Sequence, residues 1–283
     1  MRLQEQGARR AVWASPALFR AQNPLAEAVS FVAKVLTIAD LEVRKLRHDP
    51  TELLTRAVQP ALWLLVFGQV FTQVRAIPTG NLRYIDFMAP GILAQSVLFT
   101  AIFYGISVIW ERDLGIIHKF LVSPTPRSAL VLGKALSAGV RGLVQAVIIY
   151  ILALLLGVGI NWQPLALVGV AVVVVLGAAL LSTFSLVIAC LVKTRERFMG
   201  FGQMLTMPLF FASNAIYPLA IMPWWLQIIA RINPLTYEVD GLRTLMLPNV
   251  ASANGLGVDF AVLVVAVVVL VAIGAKLYPT IAQ

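Results

Sequence analysis

Charge is scarce in this sequence. Of its 283 residues only 12% are Asp, Glu, Lys or Arg, about half the share of an ordinary soluble domain. So thin a supply cannot cover a soluble globule of this size, which excludes a soluble enzyme and a disordered tail. Cysteine occurs once, at Cys190, so no intrachain disulfide forms and a secreted disulfide scaffold is excluded. His48 and His118 are the only histidines. With so few soft ligands, no metal site is expected. No phosphate-binding G-x-x-x-x-G-K-[ST] occurs: Gly133-Lys134 is followed by Ala135, and Ser128 stands where the first glycine belongs. H-E-x-x-H, G-x-S-x-G and paired aspartates are also missing. No catalytic residue is therefore assigned, and the chain reads as a non-catalytic membrane component.

What is present is hydrophobicity. Sixty per cent of the residues are apolar and the mean hydropathy is +0.88. This composition predicts an all-α, polytopic membrane protein. A crossing helix needs about 20 mostly apolar residues, and six stretches qualify: 57–74, 87–110, 128–159, 165–192, 198–216 and 260–275. Pro60 is placed in the first turn of the first stretch, where proline is tolerated, and Pro208 marks a kink in the fifth. The third stretch is longer than a bilayer crossing and carries Lys134 and Arg141 in its first half. Two readings stand: cations reaching the headgroups, or functional charges inside the membrane.

Basic residues outnumber acidic ones, 22 to 13, for a net charge of +9. Sixteen of the 22 fall on one side of the span map: nine before the first span, three after the second, three after the fourth, and Lys276. By the positive-inside rule both termini are cytoplasmic in a multi-pass cell-membrane protein. The excess charge is topology, and a nucleic-acid partner loses its support. No cleavable signal peptide is visible. Residues 1–28 read as a cytoplasmic tail and 29–56 as an amphipathic helix with a linker. In that helix Val32, Val35, Leu36, Ala39, Val43 and Leu46 share one arc, which suits an interfacial helix. Residues 57–283 form the transmembrane domain.

Between spans five and six, Pro218 to Pro234 is too short and too interrupted to cross. Trp224 and Trp225 sit together in it, as residues of a membrane boundary do. It predicts a re-entrant or interfacial helical pair on the outer face. Asp240 and Arg243 follow at a spacing that allows an ion pair on a helix. The carboxylates all read as loop or edge residues. That weakens ion-driven coupling, so the energy for any pumping is expected from another chain.

Two segments carry a family resemblance. One runs Glu111-Arg112-Asp113-Leu114-Gly115, continues through Phe120-Leu121-Val122-Ser123-Pro124 to Arg127, and leads to Leu132-Gly133-Lys134. The other runs Ile216-Tyr217-Pro218-Leu219, Pro223-Trp224-Trp225, Asn233-Pro234-Leu235-Thr236-Tyr237 and Asp240-Gly241-Leu242-Arg243. In order, and with six spans behind an amphipathic helix, they resemble ABC-2 type transporter permeases, nearest the drug and antibiotic exporter branch. The resemblance implies the membrane half of an exporter. It implies two permease copies, identical or related, working with separate ABC ATPase chains that hold the ATP and Mg. No cofactor is expected on this chain itself. The loop after span two is the implied ATPase-coupling element: Glu111, Arg112, Asp113, Gly115, Phe120, Leu121, Pro124 and Arg127. Spans one, two and five imply a substrate path along Phe71, Gln95, Phe99, Phe103, Phe210, Phe211 and Asn214. Tyr217, Pro218, Trp224, Trp225, Asp240 and Arg243 form the implied outer gate. An amphipathic drug, antibiotic or lipid-like cargo is expected. Export of polysaccharide, teichoic acid or lipid-linked glycan is the alternative, and a secondary carrier a more remote one.

Overall fold

The computed structural model describes residues 29–37, 40, 44, 51–74, 77–80, 82–117, 126–192 and 194–279. Its regular elements are helical. The first is one continuous run: α1 (Thr51–Leu62), a π-helical segment (Trp63–Gly68) and α2 (Gln69–Val74). Then come α3 (Tyr84–Tyr104), α4 (Ile106–Asp113), α5 (Arg127–Leu155), α6 (Pro164–Leu191) and α7 (Arg195–Phe211). A 3₁₀ turn (Leu219–Ile221), α8 (Trp224–Ile232), α9 (Pro234–Met246) and α10 (Leu256–Leu277) complete the order. Residues 29–37 are also helical, and Val32 and Leu36 on that piece are exposed. The rest of the expected amphipathic helix falls largely outside the described residues, as does the 1–28 tail.

Among the described residues, four helical stretches are long and apolar enough to cross a membrane: Tyr84–Asp113, Arg127–Leu155, Pro164–Leu191 and Leu256–Leu277. These correspond to expected spans two, three, four and six. The apolar part of the first helix is only Val58–Val74. α7 has 17 residues, about 25 Å of helix against a hydrocarbon core of about 30 Å. It stops at Phe211, five residues short of the expected 216, because residues 212–217 turn irregularly.

Other boundaries also move, each for a local reason. α5 ends at Leu155 rather than 159 because Gly157 adopts a left-handed φ of +66°. The amide of Val158 bonds Ala153 O and that of Gly157 bonds Leu154 O, the bond pair of a Schellman cap. Pro60 lies well inside α1, not in its first turn. The missing N–H there precedes the π segment, as interior prolines disturb the ladder. The second span is broken at Gly105. Ser185 of α6 donates its hydroxyl to Ile102 O, and a Cβ at Gly105 would overlap that hydroxyl. A side chain inserted into the ladder is a known cause of such a break.

α6 is the central post. α3, α5, α9 and α10 all pack against it. Lipid gives little hydrophobic drive between helices, so close approach through small residues matters. Gly139 and Gly142 of α5 lie against Val175 and Val174 of α6. At one end, here termed basal, a cluster forms from Ile109, Ile117, Val131, Leu186, Phe198 and Tyr278. At the opposite, distal end Arg83 bonds Asp86 and Gly157 O. There too Asn161 N bonds Met246 O at 2.7 Å.

Candidate functional site

At the basal end, the last turn of α4 is tied to two other helices. Glu111 accepts from Lys134 of α5 at 2.7 Å, with side-chain exposures of 6% and 5%. Lys134 thus turns into the bundle rather than toward headgroups. Arg141, also buried, lies with its guanidinium 4.6 Å from the Tyr104 ring. Asp113 pairs with Arg112 at 3.0 Å and with Arg195, at the start of α7, at 2.6 Å. The Arg195 guanidinium lies 3.7 Å over the Trp110 ring. Gly115 stops α4 with a φ of +69°. Ile117 is fully buried and Arg127 opens α5. Phe120, Leu121 and Pro124 lie outside the described residues. The ends of α4, α5 and α7 are therefore bound together at the base of this loop. Lys134 and Arg195 stand beyond the sequence-based site set. Lys134 was legible as part of the motif; the place of Arg195 depends on the fold.

A second feature is an aromatic ladder. Trp63 stacks on Phe67 at 4.5 Å, Phe67 on Phe71 at 6.1 Å, and Phe71 meets Tyr84 edge-on at 5.4 Å. Trp63 also meets Phe210 and Phe211 of α7, at 6.2 and 6.5 Å. The i, i+4 spacing of Trp63, Phe67 and Phe71 puts them on one helical face. Trp63, outside the expected set, is the joint of this wall. Phe99 and Phe103 stack on each other at 6.3 Å. Gln95 is buried at 1% exposure with neither amide atom hydrogen-bonded, and Asn214 is buried with its Oδ1 unpartnered. Neither lines the groove described next.

Beside the ladder lies a groove of about 640 Å³ between α7 and α8. Its walls include Leu205, Pro208, Phe211, Tyr217, Trp225 and Ile229. Trp224 and Trp225 are exposed, and the Tyr217 hydroxyl donates to Phe211 O at 2.6 Å. Pro218 leads into the 3₁₀ turn. Asn233 fastens the floor. Its Oδ1 accepts from Leu235 N and caps α9, while its Nδ2 donates to Leu209 O and Ala212 O at the end of α7. One amide so satisfies free backbone groups of two helix ends.

The expected Asp240–Arg243 ion pair does not form. Arg243 instead donates to Asn214 O at 2.7 Å and to Phe87 O, and lies 3.8 Å over the Phe87 ring. Asp240 accepts from Ser252 and from Asn254. Both are buried on α9, and backbone carbonyls on one side and loop donors on the other hold them in place of each other. A further correction concerns Glu238, read as a loop-edge acid. It is 1% exposed and packs on Gly177, midway along α6.

Among known proteins, the family model described as ABC-2 type transporter matches residues 33–247. The chain belongs to the ABC-2 type transporter family. A transport permease, ycf38 of Cyanophora paradoxa, is 29% identical over 218 residues, covering 76% of this chain and 74% of the relative. The daunorubicin resistance ABC transporter permease protein DrrB1 of Streptomyces coeruleorubidus is 27% identical over 200 residues, covering 71% and 70%. The inner membrane transport permease YadH of Escherichia coli K12 is 25% identical over 188 residues, covering 64% and 70%. The ABC-2 match spans both segments that carried the resemblance. It makes the chain a membrane-embedded transport permease, a family role that is generally non-catalytic.

Proposed function

We propose that this permease is the membrane half of an ATP-driven exporter. Two permease copies face each other across the aromatic ladder and the α7–α8 groove, and separate ABC ATPase chains supply the energy. The basal end faces the cytosol and the distal end the outside of the cell membrane, with both termini cytoplasmic. The observation that carries the reading is the three-way tie at the base of the 114–126 segment. A push delivered to that loop by an ATPase reaches α4 through Glu111, α5 through Lys134 and α7 through Asp113–Arg195. Load is so distributed to three membrane helices from one docking element, in the manner of a helix held in a partner's groove. The Phe120–Leu121 segment supplies the apolar contact.

The cargo is an amphipathic, drug-like or lipid-like molecule rather than a glycan. The ladder from Trp63 to Tyr84 and the groove walls are overwhelmingly apolar, with Tyr217 and Asn233 as the polar points. Such walls suit flat aromatic or acyl surface. The hairpin α8–α9 forms the outer gate, with Trp224 and Trp225 at its exposed edge. Because α7 alone is short, the hairpin fills the remaining depth beside it. Co-purification tests the coupling: the wild-type permease retains its ATPase chain, and Glu111→Ala with Phe120→Ala loses both the ATPase and transport. Unchanged association and unchanged transport in that double variant remove the assignment.

A further inference from the structure

Glu238 sits where a carboxyl is costly. It is 1% exposed on α9. The register between α9 and α6 fixes its depth: Leu245 lies beside Gly169, Gly241 beside Val173, and Glu238 beside Gly177. The two helices are antiparallel, and Gly177 is about 20 Å from either end of α6. A Cβ at Gly177 would overlap the Glu238 carboxyl, so the absence of a side chain there makes the space the carboxyl occupies. Oε1 is buried with no hydrogen-bond partner.

Among the described residues no ion pair reaches it. α6 carries no charged residue between Pro164 and Leu191. On α10, Asp259 lies against Gly241, and Lys276 is at the opposite end. On α3, Asp86 is held by Arg83 at 2.8 Å. On α9 itself, Asp240 is bonded by Ser252, and Arg243 is spent on Asn214 O and Phe87. α8 offers only Arg231, which is exposed. Arg141, on the other side of α6, stacks on Tyr104 and forms no ion pair with Glu238. An unpaired carboxylate in such surroundings costs several kcal/mol, whereas the neutral acid forgoes only a hydrogen bond.

We propose that Glu238 is a proton-binding site that couples the seating of α9 on α6 to proton activity. With α9 seated, the carboxyl holds a proton and rests neutral in the Gly177 gap. Any movement of the hairpin that brings Glu238 to water releases that proton as the carboxylate forms. The seated state therefore binds one proton more than the displaced state. Lowering the pH favours the seated state, and raising it favours displacement, by up to tenfold per pH unit. The ligand is a proton taken from water, and nothing else is oxidised, reduced or transferred.

The site does not rest on the export reading, and its test uses neither ATPase nor cargo. The full-length chain in lipid nanodiscs is compared with Glu238→Gln by infrared difference spectroscopy across a pH series. The expected result is a protonated-carboxyl C=O band at neutral pH that the Gln variant lacks. Backbone hydrogen exchange in α9, corrected for intrinsic rates, is expected to slow with falling pH in the wild type only. If Glu238→Gln does not fold, Glu238→Asp keeps an acid but is expected to move the band. An absent band in the folded wild type at neutral pH, or a band unchanged by every substitution at 238, overturns the proposal.

Discussion

Removing the charge of Lys134 isolates the junction on which the coupling reading depends. Lys134→Met keeps the length of the side chain but takes from Glu111 the buried cation at 2.7 Å. The pair is 2.7 Å apart and both side chains are about 95% buried, so water cannot replace the lost partner. Breaking one half of such a pair costs about 3–5 kcal/mol, which for a chain of this size lowers the melting temperature on the order of 10 °C. The double variant Glu111→Leu with Lys134→Met removes both charges and is expected to recover most of that loss. An exchanged pair, Glu111→Lys with Lys134→Glu, is expected to recover it in part. Thermal melting of each purified variant in nanodiscs completes a double-mutant cycle. The stability-restored apolar double variant is still expected to transport poorly, because the directional tie between α4 and α5 is gone. Wild-type melting in Lys134→Met, or additive losses in the double variant, refutes the idea that the two residues act as a unit.

Three further outcomes follow from particular contacts. Asn233→Ala removes the cap of α9 and the donors to Leu209 O and Ala212 O. It is expected to destabilise by about 2–4 kcal/mol, and denaturant titration reads the loss. Trp63→Ala opens the joint between the first helix and α7. It is expected to raise the KM for an aromatic cargo by about two- to tenfold while ATPase association, checked by co-purification, stays intact. Gly105→Ala drives a methyl into Ser185 at a cost of about 1–3 kcal/mol. Ser185→Gly in the same chain is expected to restore the melting temperature, and no restoration would show the break at Gly105 to have another origin.

The long apolar runs were legible because hydropathy alone defines them: α5, α6 and α10 lie where the runs are, and the second run holds α3 and α4. What the sequence could not show were features set by a second helix. The break at Gly105 depends on Ser185, eighty residues away in the chain but adjacent in space. The ends of α5 and α7 were misplaced because Gly157 and the 212–217 turn sit within apolar stretches that hydropathy does not interrupt. Glu238 lies close in sequence to the Asn233–Pro234 turn, so it read as an edge residue; its depth comes from α9 lying along α6. Arg243 was drawn to carbonyls of Phe87 and Asn214 that sequence spacing cannot reveal. After the second span, Glu111 and Lys134 both belong to the motif that carries the resemblance, but their pairing depends on the fold. Trp63 was missed although the i, i+4 spacing that puts it on the face of Phe67 and Phe71 is a sequence signal.

Export by this ABC-2 permease is proposed to draw its energy from a separate ATPase. The direct measurement is uptake of a fluorescent aromatic amphiphile into inside-out vesicles holding the permease with or without its ATPase chain, with and without ATP. Accumulation is expected only when both chains and ATP are present. Accumulation that persists without ATP, or without the ATPase chain, contradicts it.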